Sequence, residues 1–268
     1  MDDIRSTSGL FNTTMSSKGV AVVTGSAQGI GRAIALRLAE DGYDLAINDI
    51  ANNQQNLESL AKEIESKGRK ATTVLADVSQ EEEVKKILDH VIEHHGGVNV
   101  FVANAGIAGP AGGGFATVDG ETFDRVMNIN ARSTFLCYKY AGQQMIKQGG
   151  GGRIIGASSV AGKKAIATQA VYSASKAAIR ALTQAAAQEF GPSGITVNAY
   201  APGAINTTML TGGFEQADAI IGHFKSLSPL GIVGEPQDIA GLVSYLASDE
   251  SRFITGQSIS INGGLFFD

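Results

Sequence analysis

Apolar residues follow two rhythms along the chain. Short runs rich in β-branched residues lie at Val20–Thr24, Leu45–Asn48, Ala71–Ala76, Val98–Ala103, Arg153–Ala157, Ile195–Tyr200 and Ser258–Ile261. Between them the apolar positions recur every three or four residues. They fall at 30, 34, 35 and 38 in Ile30–Glu40, and at Leu57, Leu60, Ala61 and Ile64 in Leu57–Lys67. In Glu81–His94 they fall at 84, 87, 88, 91 and 92. Further helices are predicted over roughly Thr122–Lys147, Val171–Phe190 and Pro236–Ala247. The first rhythm is that of buried strands, the second that of helices with one apolar face. Strand–helix–strand order repeated in this way predicts an α/β fold, a doubly wound parallel sheet with helices on both faces. One domain over 19–268 is expected, preceded by a polar, flexible tail over 1–18. Residues 204–232 break the rhythm and are expected to form an inserted loop, a short substrate lid.

Composition narrows the classes. The chain has 268 residues, 43% apolar and 18% charged, with a net charge of −5. That balance suits a packed core and gives no basic footprint for nucleic acid. No apolar run reaches the roughly 18 residues of a membrane helix. Asp2 and Asp3 stand where a secretory leader would be basic, and Met15 is a candidate alternative start. A single cysteine, Cys137, points to a reducing compartment, the cytoplasm. Glycine is in excess at 34 residues. The excess has no collagen period, so individual glycines need individual reasons.

One reason stands between the first strand and the first helix, in Thr24-Gly25-Ser26-Ala27-Gln28-Gly29-Ile30-Gly31. Residues without Cβ let a chain turn sharply and approach a pyrophosphate, and a helix N-terminus adds N–H groups and a positive dipole end. A dinucleotide site on a Rossmann-type sheet is therefore expected, although such a turn can also be purely structural. Asp49 ends the second strand, 18 residues beyond Gly31. An acidic group there accepts bonds from the adenosine ribose and repels a 2′-phosphate, which favours NAD(H) over NADP(H). Two other readings stay open: Asp49 as the start of a turn with Asn52 and Asn53, and Arg32 reaching a phosphate.

Tyr172 and Lys176 are spaced i, i+4 and share a helix face. An ammonium beside a phenol favours the phenolate. In this setting the chain resembles the short-chain dehydrogenase/reductase family over nearly all of 19–268. The carrying motifs are the glycine turn at 24–31, Asn104-Ala105-Gly106, Ser159, Tyr172-Ser173-Ala174-Ser175-Lys176, and Pro202-Gly203 followed by Thr207.

The resemblance implies a nicotinamide-dependent enzyme acting on CH–OH and C=O groups. Tyr172 would be the general acid/base, Lys176 would lower its pKa and hold the nicotinamide ribose, and Ser159, rather than Ser158, would orient the substrate oxygen. Asn130 would hold a proton-relaying water. Gly25, Gln28, Gly29, Ile30 and Gly31 would cradle the pyrophosphate, Asp49 the ribose, and Asp77 and Val78 the adenine. Asn104, Ala105 and Gly106 would border the adenosine. Pro202, Gly203, Ile205 and Thr207 would lie by the nicotinamide. Asn104 has an equally weighted architectural reading; Ser159 could cap or turn the chain after a strand, and Asn130 could bond backbone inside a helix.

Within the family, Gly194–Ile205 and Asn262-Gly263-Gly264 look similar to diacetyl/acetoin reductases and butanediol dehydrogenases. Polyol dehydrogenases, 3-oxoacyl reductases and secondary-metabolite dehydrogenases share much of this. The 204–232 segment carries Met209, Leu210, Phe214, Ile220, Ile221 and Phe224, which suggests a small or apolar ketone or secondary alcohol. No basic cluster there invites an acyl-carrier partner. A homotetramer pairing the long helices is implied by resemblance. A catalytically silent NAD-binding sensor is the alternative of another class. His90, Glu93, His94 and His95 do not have metalloprotease spacing, and no metal is expected. His223 and the glycines at 112–114 and 149–152 carry no firm role.

Overall fold

The computed structural model describes residues 16–109, 114–212 and 217–267. Met15 and the tail before it, Gly112, Gly113 and Phe214 lie outside them. Seven strands form one parallel sheet: β1 Val20–Thr24, β2 Asp44–Asp49, β3 Ala71–Leu75, β4 Val100–Ala103, β5 Gly152–Ala157, β6 Ile195–Pro202 and β7 Ser258–Ile261. Their order across the sheet is β3-β2-β1-β4-β5-β6-β7. The chain winds outward from β1 to β3, returns to the other side of β1 at β4, and winds outward again. The reversal between β1 and β4 opens a crevice at the carboxyl ends of those strands.

The helices cover both faces. On one lie α1 Gly29–Glu40, α2 Gln54–Ser66 and α9 Pro236–Ala247. On the other lie α3 Glu81–His95, α5 Ser133–Gln148 and α6 Ala170–Phe190. Strand β1 shows why the sequence folds this way. Ala21 and Val23 point into the layer of Ile34, Leu38, Leu57 and Ile239, while Val20 and Val22 point into that of Ile87, Val91, Leu136 and Met145. Each fully buried Leu or Ile contributes about 1.5–3 kcal/mol, so a polar residue at any of these positions is strongly resisted.

The helix expected over Thr122–Lys147 is interrupted. Helix α4 spans Gly120–Met127, a π-helical turn follows at Asn128–Arg132, and α5 then begins. The Ser133 hydroxyl donates to Ile129 O at 2.5 Å and Thr134 Oγ1 to Asn130 O at 2.8 Å. Such back-bonding hydroxyls suit a widened turn. The segment expected to be a loop over 204–232 contains helices α7 Thr208–Thr211 and α8 Ala217–Leu227. Its base is pinned: Asn206 N donates to Gly234 O at 2.8 Å and Gly234 N to Ala204 O at 3.0 Å. Ile220, Ile221 and Phe224 of α8 are only half-buried.

Candidate active site

The glycine turn sits at the crevice, between β1 and α1. Gly25 and Gly29 have φ of 61° and 55°, a region that side chains resist. Gly31 is required by packing, because a Cβ there would lie 2.2 Å from Gly25 O. Gln28 takes the N-cap position of α1 but no side chain caps the helix, so its first N–H groups face the crevice without that partner. Ile30 is half-buried and packs against the core.

Asp49 is tied to the same turn. Its Oδ2 accepts from Ala27 N at 2.9 Å; its Oδ1 accepts from Ile50 N at 2.9 Å and from Asn53 Nδ2 at 2.8 Å. The turn-forming reading of Asp49 is therefore part of the geometry, and the carboxylate also braces the glycine turn. Arg32 is paired with Glu63 of α2.

The end of β4 closes onto the turn. Asn104 Nδ2 donates to Thr24 O at 2.8 Å and Gly25 O at 2.9 Å, and its Oδ1 accepts from the Tyr200 hydroxyl at 2.8 Å. Thr24 Oγ1 accepts from Asn104 N and Ala105 N, both at 3.1 Å. The Asn104 side chain is thus a staple between β1, β4 and β6, the architectural role. After β3, Asp77 Oδ1 accepts from Ser79 N at 2.9 Å, and Val78 is buried. At the end of β6, Gly203 N donates to Ile261 O at 3.0 Å beyond Pro202. Ile205 is buried, and the Thr207 methyl lies 3.5 Å from where a Gly29 Cβ would stand. The segment after β6 therefore comes down over the glycine turn.

These groups fit a dinucleotide. An uncapped helix N-terminus and a turn free of Cβ suit a pyrophosphate, and an acidic residue ends the neighbouring strand.

Across the crevice, Tyr172 and Lys176 share the inner face of α6. Lys176 Nζ lies 5.6 Å from the Tyr172 ring centroid and donates to Ala157 O at 2.8 Å. Burial pushes the lysine down from 10.5 to about 8. Burial also raises Tyr172, with the Ser159 hydroxyl working the other way. Desolvation acts on both members of the pair and disfavours both charged forms. Ser159 also accepts from Ala161 N at 3.1 Å, capping the short turn Val160–Gly162. Its neighbour Ser158 is spent on Lys176 O at 3.0 Å.

Asn130 sits in the π-helical turn, fully buried. Its Oδ1 accepts from Ile107 N at 2.8 Å; its Nδ2 donates to Ile107 O at 2.9 Å and to Ser175 Oγ at 3.0 Å. Gly106 leaves the room for this. A Cβ there would lie 3.2 Å from Asn130 Oδ1 and 3.3 Å from Lys176 Nζ. A recess of about 390 Å³ opens beside Ile107, lined also by Thr122, Arg125 and Val126. Asn130, Ser159, Tyr172 and Lys176 thus converge on the carboxyl ends of β4 and β5, opposite the glycine turn.

Two participants had not been singled out in the sequence, Ser175 and Tyr200. Ser175 precedes Lys176 in a Ser/Ala-rich helix, where only its complete burial distinguishes it. Of the other candidates, His90 and His94 stack at 4.0 Å near the end of α3, and His223 is exposed on α8. Among the described residues, no three His, Cys, Asp or Glu side chains form a group that could hold a metal ion.

Known proteins resemble this chain in sequence and in fold. The family profile described as enoyl-(acyl carrier protein) reductase matches residues 25–266. A short-chain dehydrogenase/reductase of Armillaria gallica is 49% identical over 97% of this chain and 100% of its own. An L-2,3-butanediol dehydrogenase of Corynebacterium glutamicum is 39% identical, covering 93% of this chain and 99% of its own. Among solved structures, levodione reductase superposes with a TM-score of 0.88 at 32% identity, covering 93% of this chain and 98% of its own. A blue fluorescent protein from a metagenomic library, in complex with NADPH, does so with 0.85 at 36%, over 93% and 98%. The chain belongs to the short-chain dehydrogenase/reductase family, oxidoreductases that act on CH–OH and C=O groups with a nicotinamide cofactor.

Proposed function

We propose that the protein is an NAD(H)-dependent oxidoreductase that interconverts a small or apolar ketone or diketone and its secondary alcohol. The observation that carries this reading is the convergence of Tyr172, Ser159, Lys176 and Asn130 on one side of the crevice, facing the glycine turn. When bound, the nicotinamide supplies or accepts the hydride. The protein's own groups handle the substrate oxygen and its proton. Tyr172 keeps its proton at neutral pH because burial raises its pKa, so its phenol is ready to donate to a carbonyl oxygen. Ser159 faces the same phenol and holds that oxygen in line. Lys176, anchored on Ala157 O, stands behind Tyr172 as the replenishing donor. Asn130 completes the relay.

Gly25, Gln28, Gly29, Ile30 and Gly31 would hold the pyrophosphate, Asp49 the adenosine ribose, and Asp77 and Val78 the adenine. Ala105 and Gly106 would border the crevice floor, with Pro202, Gly203, Ile205 and Thr207 beside the nicotinamide. The preference for NAD(H) rests on the Asp49 charge and on the pairing of Arg32 with Glu63, which removes a cation from the 2′ position. An apolar substrate suits the half-buried Ile220, Ile221 and Phe224 of α8, which act as a lid over the site.

A homotetramer suits the exposed apolar side chains Phe135 and Ile146 on α5 and the exposed alanines 174, 177, 181 and 185 on α6. A monomer mass by light scattering would refute it. A cytoplasmic setting suits Cys137, whose burial pushes the thiol up to about 12.

The test is a panel of ketones, diketones and secondary alcohols assayed with NAD(H) and NADP(H) in parallel. Turnover that falls by about a thousandfold in Tyr172→Phe, with nucleotide binding retained, is the expected result. Nucleotide binding without turnover on any substrate would instead support a silent sensor.

A further inference from the structure

The buried amide of Asn130 reaches one group outside the crevice residues already described. Its Nδ2 donates to Ser175 Oγ at 3.0 Å, and Ser175 Oγ in turn donates to Tyr172 O at 2.7 Å. Ser175 has no exposed surface. Three elements therefore meet in one chain of hydrogen bonds: the loop after β4 through Ile107, the π-helical turn through Asn130, and α6 through Ser175 and Tyr172. On α6, Ser175 lies three residues after Tyr172 and one before Lys176, and its hydroxyl meets the π-helical turn through Asn130. Without it, one Nδ2 proton of Asn130 would be buried with no acceptor, at a cost the fold avoids.

We infer that Ser175 is a positioning residue, the hydroxyl that registers Asn130 against the Tyr172–Lys176 face. The inference rests on the proposed reading of that face. Ile107 alone fixes which way the Asn130 amide points, since it supplies both a donor and an acceptor. It does not fix the distance from Asn130 to α6. Ser175 accepts the Asn130 side-chain bond that reaches α6, beside the packing of the two elements. The space left by Gly106, bounded by Asn130 Oδ1 and Lys176 Nζ, keeps its shape only while that distance is held.

Ser175→Ala tests this with two readouts. The first is hydrogen exchange of the Ile107 amide, whose proton is held by Asn130. It should speed up by about tenfold while the amides of α6 keep their protection. The second is turnover: kcat should fall about tenfold, with the NADH dissociation constant within threefold of wild type. In an Asn130→Ala background the Ser175→Ala change should add no further loss to either readout, because the bond is already gone. Ile107 exchange and kcat both within twofold of wild type would overturn the inference. So would a loss that appears only as a lower melting temperature, or one that adds fully to that of Asn130→Ala. If the wild-type protein turns over no carbonyl, the proposed function falls, while the exchange readout still decides the role of Ser175.

Discussion

The Asp49 carboxylate accepts the main-chain N–H of Ala27 at 2.9 Å, which joins the end of β2 to the glycine turn after β1. One side chain thus shapes the turn, and under the proposed function it would also choose the nucleotide. Asp49→Asn should do two things at once. NADPH should gain on NADH by about tenfold in relative affinity as the repulsion of a 2′-phosphate is lost. Stability should fall by about 1–2 kcal/mol as a charge-assisted bond becomes a neutral one. Fluorescence titration with both nucleotides and urea denaturation check the pair. A shift in preference with no loss of stability would mean that the brace to Ala27 carries little.

Lys176 should make stability depend on pH in a definite direction. Its folded pKa of about 8 lies below the ordinary 10.5. Between these values the unfolded chain binds more protons, so this group's contribution to stability rises with pH, and its cost is fully present below 8. Lys176→Met should therefore stabilise the fold at pH 7 by on the order of 2 kcal/mol, the gain shrinking towards pH 10. Urea denaturation of both proteins at pH 7 and pH 9.5 is the measurement. A gain independent of pH would contradict it.

Gly31→Ala should abolish nucleotide binding. The added Cβ would stand 2.2 Å from the main-chain Gly25 O and 2.5 Å from Asn104 Nδ2, a side-chain group fixed by its bonds to Thr24 O and Gly25 O. Gly106→Ala should be milder, because its neighbours are ends of side chains at 3.2 and 3.3 Å. It should fold and bind NADH, yet lose roughly tenfold or more in kcat. Equal effects of the two substitutions would refute the distinction between a backbone wall and a side-chain wall.

Phe224→Ser should raise KM for an apolar ketone several-fold, in line with about 1 kcal/mol of lost contact for a half-buried side chain. The NADH dissociation constant should stay unchanged. Steady-state kinetics with one apolar and one hydrophilic ketone separate the effect, which should be confined to the apolar one.

The sheet was legible because burial on both sides leaves its strands as short apolar runs, as in Val20–Thr24, and because amphipathic helices lie between them. The order of Tyr172, Lys176, Ser159 and the glycine turn was legible for a similar reason: each role needs a particular residue at a particular spacing. The break at Asn128–Arg132 was not. A single π-helical turn adds one residue to a helical period and leaves the apolar pattern around Val126 and Leu136 almost intact. The bond from Asp49 to Ala27 and that from Asn130 to Ser175 were also hidden, since both depend on what faces them across space. The burial around Lys176 and Tyr172 was hidden for the same reason. Spacing brings an ammonium near a phenol, but only the packed structure shows how dry the place is.

The pinned base of the segment after β6 has a consequence for descent. Ala204, Ile205 and Asn206 are clipped to Gly234 by main-chain bonds, and main-chain bonds are indifferent to side-chain identity. Helices α7 and α8, between Thr207 and Ser228, can therefore be rewritten with little effect on the nucleotide half, whereas Thr207 and Ser228 themselves are tied to it and to the chain just after β7. Under the proposed function, the fold would carry an interchangeable cassette where new substrates could be met.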